Sequence, residues 1–226
     1  MKIIILAAGI GSRLGNPFPK PLTPLKNGQS IMERQIENLC SHFSEHDISV
    51  VVGFKKDLIM ERFPDLTYVY NQFFDSTNTS KSLLKALKKY PGEDVLWLNG
   101  DVIFDPELLR ALQPEIQAGN SFVAVNTSRV AEEEVKYTLK DGFVDQLSKQ
   151  VKEGLGEAVG INFVAAGDLP ILIQNLENCR DNDYFEKGLE TAIENEGLQI
   201  KAMDISQYRC MEVDFEEDLA AANNLF

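Results

Sequence analysis

Hydrophobic positions along the chain fall into two alternating patterns. Strand candidates occur at 2–6 (KIIIL), 48–53, 66–70, 94–98, 121–126 and 158–164, several of them continuous apolar runs. Unbroken runs of this kind are typical of strands covered on both faces. Between them, apolar residues recur at helical spacing. In 30–43 these are Met32, Ile36, Leu39 and Phe43; in 80–90, Ser80 stands where an N-cap belongs and Leu83, Leu84 and Leu87 follow. Segments 106–118, 182–195 and 216–224 repeat the pattern, and Pro106 with an acidic first turn suits a helix start. The stretch 135–165 breaks the rhythm, because Asp141-Gly142 between short strand-like runs predicts a β-hairpin. The expected fold is α/β: a doubly wound, mainly parallel (mixed) sheet with helices on both faces and a small β insertion at roughly 130–165. No linker or internal repeat divides residues 1–226, so a single domain is expected.

Composition narrows the class. Hydrophobic residues make up 44% and charged residues 25% of 226, as in ordinary globular proteins, which excludes collagen-like and disordered chains. No apolar run is long enough for a transmembrane helix. The N-terminal run passes directly into a glycine-rich segment carrying Arg13, so it reads as a buried first strand rather than an export signal. With 22 basic against 35 acidic residues the net charge is −13, which disfavours nucleic acid and anionic membranes as partners. Anionic small molecules remain compatible, because charge is screened over roughly 8 Å and a few local cations dominate a pocket. Cys40, Cys179 and Cys210 are odd in number and form no CxxC pair, which fits a reduced, cytoplasmic setting. A homo-oligomer is compatible with the sequence.

The segment Leu6-Ala7-Ala8-Gly9-Ile10-Gly11-Ser12-Arg13-Leu14-Gly15, followed by Phe18-Pro19-Lys20-Pro21-Leu22, carries the strongest chemical signal. It directly follows the first strand, and open α/β sheets bind ligands at the carboxyl ends of strands. Small side chains let backbone N–H groups approach a phosphate. The third glycine is one position late for a dinucleotide fingerprint, and no glycine precedes Lys-Ser or Lys-Thr as in a P-loop. Arg13 and Lys20 beside a nest of N–H groups suit a triphosphate.

AAGxGSRL followed by PKPL resembles the nucleoside-diphosphate-sugar pyrophosphorylase superfamily of nucleotidyltransferases. Leu98-Asn99-Gly100-Asp101 looks like its strand ending in a metal-binding Asp. Gly156-Glu157-Ala158-Val159-Gly160-Ile161 looks like its acceptor-site strand, and Glu212-Val213-Asp214-Phe215 like its second metal carboxylate. Tyr70-Asn71, Thr77-Asn78 and Ser82-Leu83 resemble the branch typified by CTP:phosphocholine cytidylyltransferase, where this region reads the base. Turns and helix caps favour the same residue types, so that alternative stands beside base recognition.

The resemblance implies attack by a phosphate or phosphonate oxygen on the α-phosphorus of a nucleoside triphosphate, with release of pyrophosphate. A phosphate monoester is largely dianionic at neutral pH, its second pKa lying near ~6, so it needs little help from a base. His42 and His46 accordingly lie outside any catalytic context. Mg²⁺ is implied as cofactor, with Asp101 and Asp214 as its ligands. Arg13 and Lys20 are the implied catalytic cations, on the β/γ- and α-phosphates respectively. The nucleotide site would comprise Leu6, Ala7, Ala8, Gly9, Gly11, Ser12, Arg13, Lys20, Asn71, Thr77, Asn78, Ser80, Ser82 and Asp101. The acceptor site would comprise Lys149, which looks like the family's lysine near the acceptor phosphate, with Glu157, Gly160, Asn162, Tyr184 and Glu186, Gly160 leaving room for ligand. An aromatic face with a carboxylate suits an ammonium head group. The expected substrates are CTP and a small phosphorylated or phosphonylated alcohol or amine. The alternatives are a hexose-1-phosphate nucleotidyltransferase using UTP, GTP or dTTP, and a catalytically silent nucleotide-sensing relative.

Overall fold

The computed structural model describes residues 1–128, 130, 131 and 133–225. Strands β1 (Lys2–Ala7), β2 (Ile48–Val52), β3 (Thr67–Tyr70) and β4 (Val95–Asn99) lie parallel in the order β3-β2-β1-β4. Beyond β4 runs the antiparallel strand β9 (Glu157–Val164), then β6 (Phe122–Asn126) and β10 (Lys201–Asp204), which pair in parallel. The hairpin β7 (Lys136–Lys140) and β8 (Phe143–Ser148) turns at Asp141-Gly142 and attaches to the start of β9. β9 lies within the sequence range of the expected insertion, yet it is an interior strand of the main sheet. A separate antiparallel ribbon joins β5 (Val102–Phe104) to β11 (Cys210–Glu212).

The unbroken apolar runs arise because both faces of the sheet are covered. From β1, Ile3, Ile5 and Ala7 enter one core, and Ile4 and Leu6 the other. Helices α1 (Ile31–Cys40), α2 (Lys56–Arg62) and α4 (Pro106–Gln117) cover the first with Met32, Leu39, Ile59, Leu108 and Leu112. Helices α3 (Thr79–Leu87), α5 (Leu169–Asn178) and α6 (Phe185–Glu196) cover the second with Leu83, Leu172, Leu176 and Leu189. Trp97 is fully buried there, packed edge-on against Phe185 with ring centroids 5.6 Å apart. The chain ends in α7 (Glu216–Leu225).

Local chemistry sets the helix starts. Ser30 and Glu33 form a reciprocal capping box at α1, with bonds of 3.2 and 2.6 Å. At α3 the cap is Asn78, whose Oδ1 accepts from Thr79 N at 2.8 Å, rather than Ser80, which lies in the first turn and is buried. The apolar pattern of the sequence does not show helices α2 and α5 or strands β5, β10 and β11. The three strands have three or four residues each, too few for periodicity to register. All three cysteines are free, and among the described residues no helix is long and apolar enough to cross a membrane.

Candidate active site

A cleft of about 560 Å³ opens where β1 and β4 end. Leu6, Ala7, Gly9 and Gly11 form one wall, and among the described residues no acceptor takes the backbone N–H of Gly9, Ile10 or Gly11. Gly11 is in the left-handed region, and a Cβ there would lie 2.8 Å from Lys20 Cβ. The absence of a side chain therefore lets the loop close over the lysine. The backbone of Ser12 belongs to a short 3-10 turn, Ser12–Leu14, while its side chain lies outside the described part.

The β5–β11 ribbon carries two acidic motifs into the same place. Val213 N donates to Asp101 O at 3.0 Å just beyond the paired residues Val102 and Glu212. Lys20, only 8% exposed, lies between the two aspartates. Its Nζ donates to Asp101 Oδ2 at 2.7 Å and also to Asp214 Oδ1. Arg13 Nη1 donates to Asp214 Oδ2 at 2.9 Å, and its guanidinium lies 5.6 Å from the Phe215 ring centroid. Burial alone would lower the Lys20 pKa, but the carboxylates of Asp101 and Asp214 outweigh it and raise it. Burial likewise pushes Asp214 up, and Lys20 with Arg13 outweighs it, leaving the carboxyl below the usual range. Helix capping at α7 falls to Asp218, whose Oδ2 accepts from Asp214 N and Phe215 N at 3.0 and 2.8 Å. The side chain of Asp214 is thus free of capping duty and turned to the cations.

Glu212 was not among the expected site residues, although it lines the cleft. Burial first, then the charge of Asp101, pushes its carboxyl well above the normal range, against a 3.0 Å bond from Asn99 Nδ2. Its spacing from Asp214 was the available signal, because residues two apart on extended chain share a face.

The expected divalent cation can be tested against these side chains. Asp101 Oδ1 is buried with no hydrogen-bond partner. Among the described residues no three His, Cys, Asp or Glu side chains gather into a metal-holding group. That is compatible with Mg²⁺, which commonly takes one or two carboxylates and completes its shell with substrate phosphates and water. The two aspartates therefore fit a cation bound together with substrate.

Of the expected base-reading residues, none lies in the cleft wall, which takes Thr79 from this segment. Asn71 is fully buried, and its Nδ2 donates to Thr77 Oγ1 and Ser82 Oγ, both at 3.0 Å. Asn78 caps α3, and Ser80 Oγ is buried without a partner. Ala8 is buried beneath the loop, and its carbonyl accepts from Phe54 N at 3.0 Å.

At the opposite end, Lys149, Tyr184 and Glu186 come together in the lining. The Lys149 ammonium lies 5.1 Å from the Tyr184 ring centroid. Burial pushes the Glu186 carboxyl up to about 7; its own backbone N–H and Lys149 oppose this, while Glu134 adds to it. The other three acceptor candidates sit elsewhere. Glu157 Oε2 accepts from Ala131 N at 3.0 Å and so is engaged by the protein's own backbone. Asn162 is buried in the sheet opposite Trp97. The space that Gly160 leaves is filled by protein: a Cβ there would lie 2.6 Å from both Asn99 Nδ2 and Glu212 Oε1. Its positive φ and missing side chain serve the Asn99–Glu212 bond rather than an open pocket.

Residues 3–165 match the family model of the MobA-like NTP transferase domain. The chain belongs to this family. The bifunctional protein GlmU of Methanococcus maripaludis is 33% identical over 174 residues, covering 74% of this chain and 39% of that protein. The CMP-5'-(3-aminopropyl)phosphonate synthase of Streptomyces rubellomurinus is 33% identical over 129 residues, covering 52% of this chain and 20% of that protein. The chain therefore spans well under two thirds of the length of either relative. The solved inositol-1-phosphate CTP transferase from T. maritima superposes with a TM-score of 0.82 at 18% identity, covering 99% of this chain and 94% of that one. At that identity the likeness concerns the fold, and it agrees with the superfamily recognised in the motifs at 6–22, 98–101 and 212–215.

Proposed function

We propose that the chain transfers CMP from CTP to a small phosphorylated or phosphonylated alcohol or amine and releases pyrophosphate. The observation that carries this reading is Lys20 held between Asp101 and Asp214 beside a loop of small residues. An acceptor phosphate or phosphonate oxygen forms a bond to the α-phosphorus, the bond to the β-phosphate bridging oxygen breaks, and pyrophosphate leaves. The dianionic nucleophile needs no proton removed. Lys20 neutralises charge gathering on the α-phosphoryl oxygens, and Arg13 holds the departing β/γ-phosphates. The N–H groups of Gly9 to Gly11 orient the triphosphate. Mg²⁺ held by Asp101 and Asp214 would supply positive charge shared between the reacting phosphates. Asn71, Thr77, Asn78, Ser80 and Ser82 act from behind Thr79, as positioning residues for the loop beside the base.

The acceptor's head group is cationic in this reading. Among the described residues, seven carboxyl side chains and three cations line the cleft. Tyr184 offers an aromatic face 43% exposed, with Glu186 two residues on. An aromatic ring backed by carboxylates suits an ammonium. The aminoalkylphosphonate in the name of the Streptomyces relative agrees with this choice.

The test is pyrophosphate release with Mg²⁺ over four nucleotides, each offered phosphocholine, aminoethylphosphonate, a polyol phosphate and a hexose 1-phosphate. CTP with an amine-bearing acceptor should give the highest kcat/KM. A hexose 1-phosphate with UTP, GTP or dTTP as best pair would replace this reading by sugar activation. Release from no pair would make the chain a nucleotide-sensing protein.

A further inference from the structure

The ring, carboxylate and cation of an ammonium-binding site are all present at the acceptor end of the cleft, but the cation is the protein's own. Lys149 directly follows β8, and its ammonium sits 5.1 Å from the centroid of Tyr184, the residue before α6. Glu186, in the first turn of α6, interacts with the Lys149 charge, and its Oε2 is buried without a hydrogen-bond partner. Lys149 itself is exposed and reaches the ring on a flexible four-carbon stem. We propose that Lys149 is a resident stand-in for the acceptor's cation, covering Tyr184 until an ammonium head group displaces it. This inference rests on the cationic-acceptor reading above.

Two consequences follow from the chemistry. Exchange of one cation for another keeps a positive charge near Glu186 throughout, so an ammonium acceptor does not remove the charge that favours its ionised form. A neutral head group offers no such exchange, because it would separate Lys149 from the ring without replacing its charge. Lys149 is thus a specificity-determining residue that raises the threshold for every acceptor but blocks neutral ones most. An exposed cation–π contact is worth about a factor of two to five in affinity. That factor is small enough for an incoming ammonium to overcome, yet large enough to measure.

Choline is the direct probe, because it carries the head group without the phosphate and cannot turn over. Its Kd can be measured by NMR titration of the CTP-bound protein. Lys149→Met should bind choline about two- to five-fold more tightly than wild type. Lys149→Arg, which keeps a cation over the ring, should bind like wild type. The double variant Lys149→Met/Tyr184→Leu should lose the gain. Unchanged or weaker choline binding by Lys149→Met, with binding to wild type still sensitive to Tyr184→Leu, overturns the stand-in while preserving the cationic-acceptor reading. If choline binds neither wild type nor Lys149→Met while CTP binds both, both inferences fail. Thermal unfolding of each variant confirms that a lost signal is not a lost fold.

Discussion

Glu186→Gln isolates the cost of placing a carboxyl at the Tyr184 end of the cleft. In the folded chain this group titrates near 7, against 4.5 for an unperturbed glutamate, because burial disfavours its charged form. The folded pKa is the raised one, so the unfolded chain releases the proton first. Wild type is therefore most stable, as far as this group is concerned, below pH 4.5, and it loses stability as pH rises through about 7. Linkage puts the full loss at about 3 kcal/mol, of which about 2 kcal/mol falls between pH 5.5 and 8. Glutamine does not titrate, so the variant should gain about 2 kcal/mol relative to wild type over that interval. Urea unfolding at pH 5.5, 6.5, 7.3 and 8 measures the difference directly. The charge of Lys149 favours the ionised form of Glu186 and that of Glu134 opposes it, so the same series on Lys149→Met should move the midpoint of the transition upward. Acceptor binding has the opposite dependence: an ammonium should bind better as Glu186 ionises, and Glu186→Gln should flatten that rise. Stability differences between wild type and Glu186→Gln that stay constant from pH 5.5 to 8 would refute the reasoning.

Three further perturbations address other parts of the cleft. Lys20→Ala leaves Asp101 and Asp214 facing each other without their shared cation, so it should lower stability by about 3 kcal/mol at neutral pH, and lower kcat more than it raises KM for CTP; wild-type kinetics would place Lys20 outside the reaction. Gly160→Ala forces a side chain into the left-handed region and onto the Asn99–Glu212 bond, costing about 2–4 kcal/mol in a denaturant titration; a neutral effect would mean the strand relaxes freely there. Tyr184→Ala should weaken acceptor binding up to roughly 30-fold and leave the KM for CTP nearly unchanged, as initial-rate kinetics over both substrates will show.

The parts of the site legible in the sequence were those carried by continuous motifs. The loop at 6–22 and the strand end at Asp101 announce themselves because small residues, cations and a carboxylate occur together after apolar runs. Most of the sheet's strands were legible for the same reason, since burial on both faces leaves mainly apolar segments such as Ile3–Ala7 and Val95–Leu98; the edge strand β3, with Thr67 and Tyr70 exposed, is a weaker signal. Pairing across the chain was harder to see. Lys20 and Asp101 are 81 residues apart and Lys20 and Asp214 are 194 apart, so only the β5–β11 ribbon reveals that one ammonium serves both carboxylates. That ribbon has three residues on each side, below the length at which a pattern registers. Gly160 shows the other limit. A glycine in a strand signals close approach, but nothing local shows whether ligand or protein makes it; here Asn99 and Glu212 do. Ser80 and Asn78 differ by two positions as caps because both are good capping residues, and the bond that Asn78 makes to Thr79 N decides between them.

The central claim is that nucleotidyl transfer occurs where Lys20 meets Asp101 and Asp214. Its most direct test is transfer of label from CTP radiolabelled at the α-phosphate to phosphocholine or aminoethylphosphonate, comparing wild type with Asp101→Asn at limiting Mg²⁺. Removing charge stabilisation worth several kcal/mol should slow transfer by orders of magnitude, while thermal unfolding shows the variant folded. Wild type should yield a labelled CMP–acceptor adduct and equimolar pyrophosphate, and the variant almost none. Near-normal adduct formation by Asp101→Asn, or no labelled adduct from wild type, would contradict the central claim.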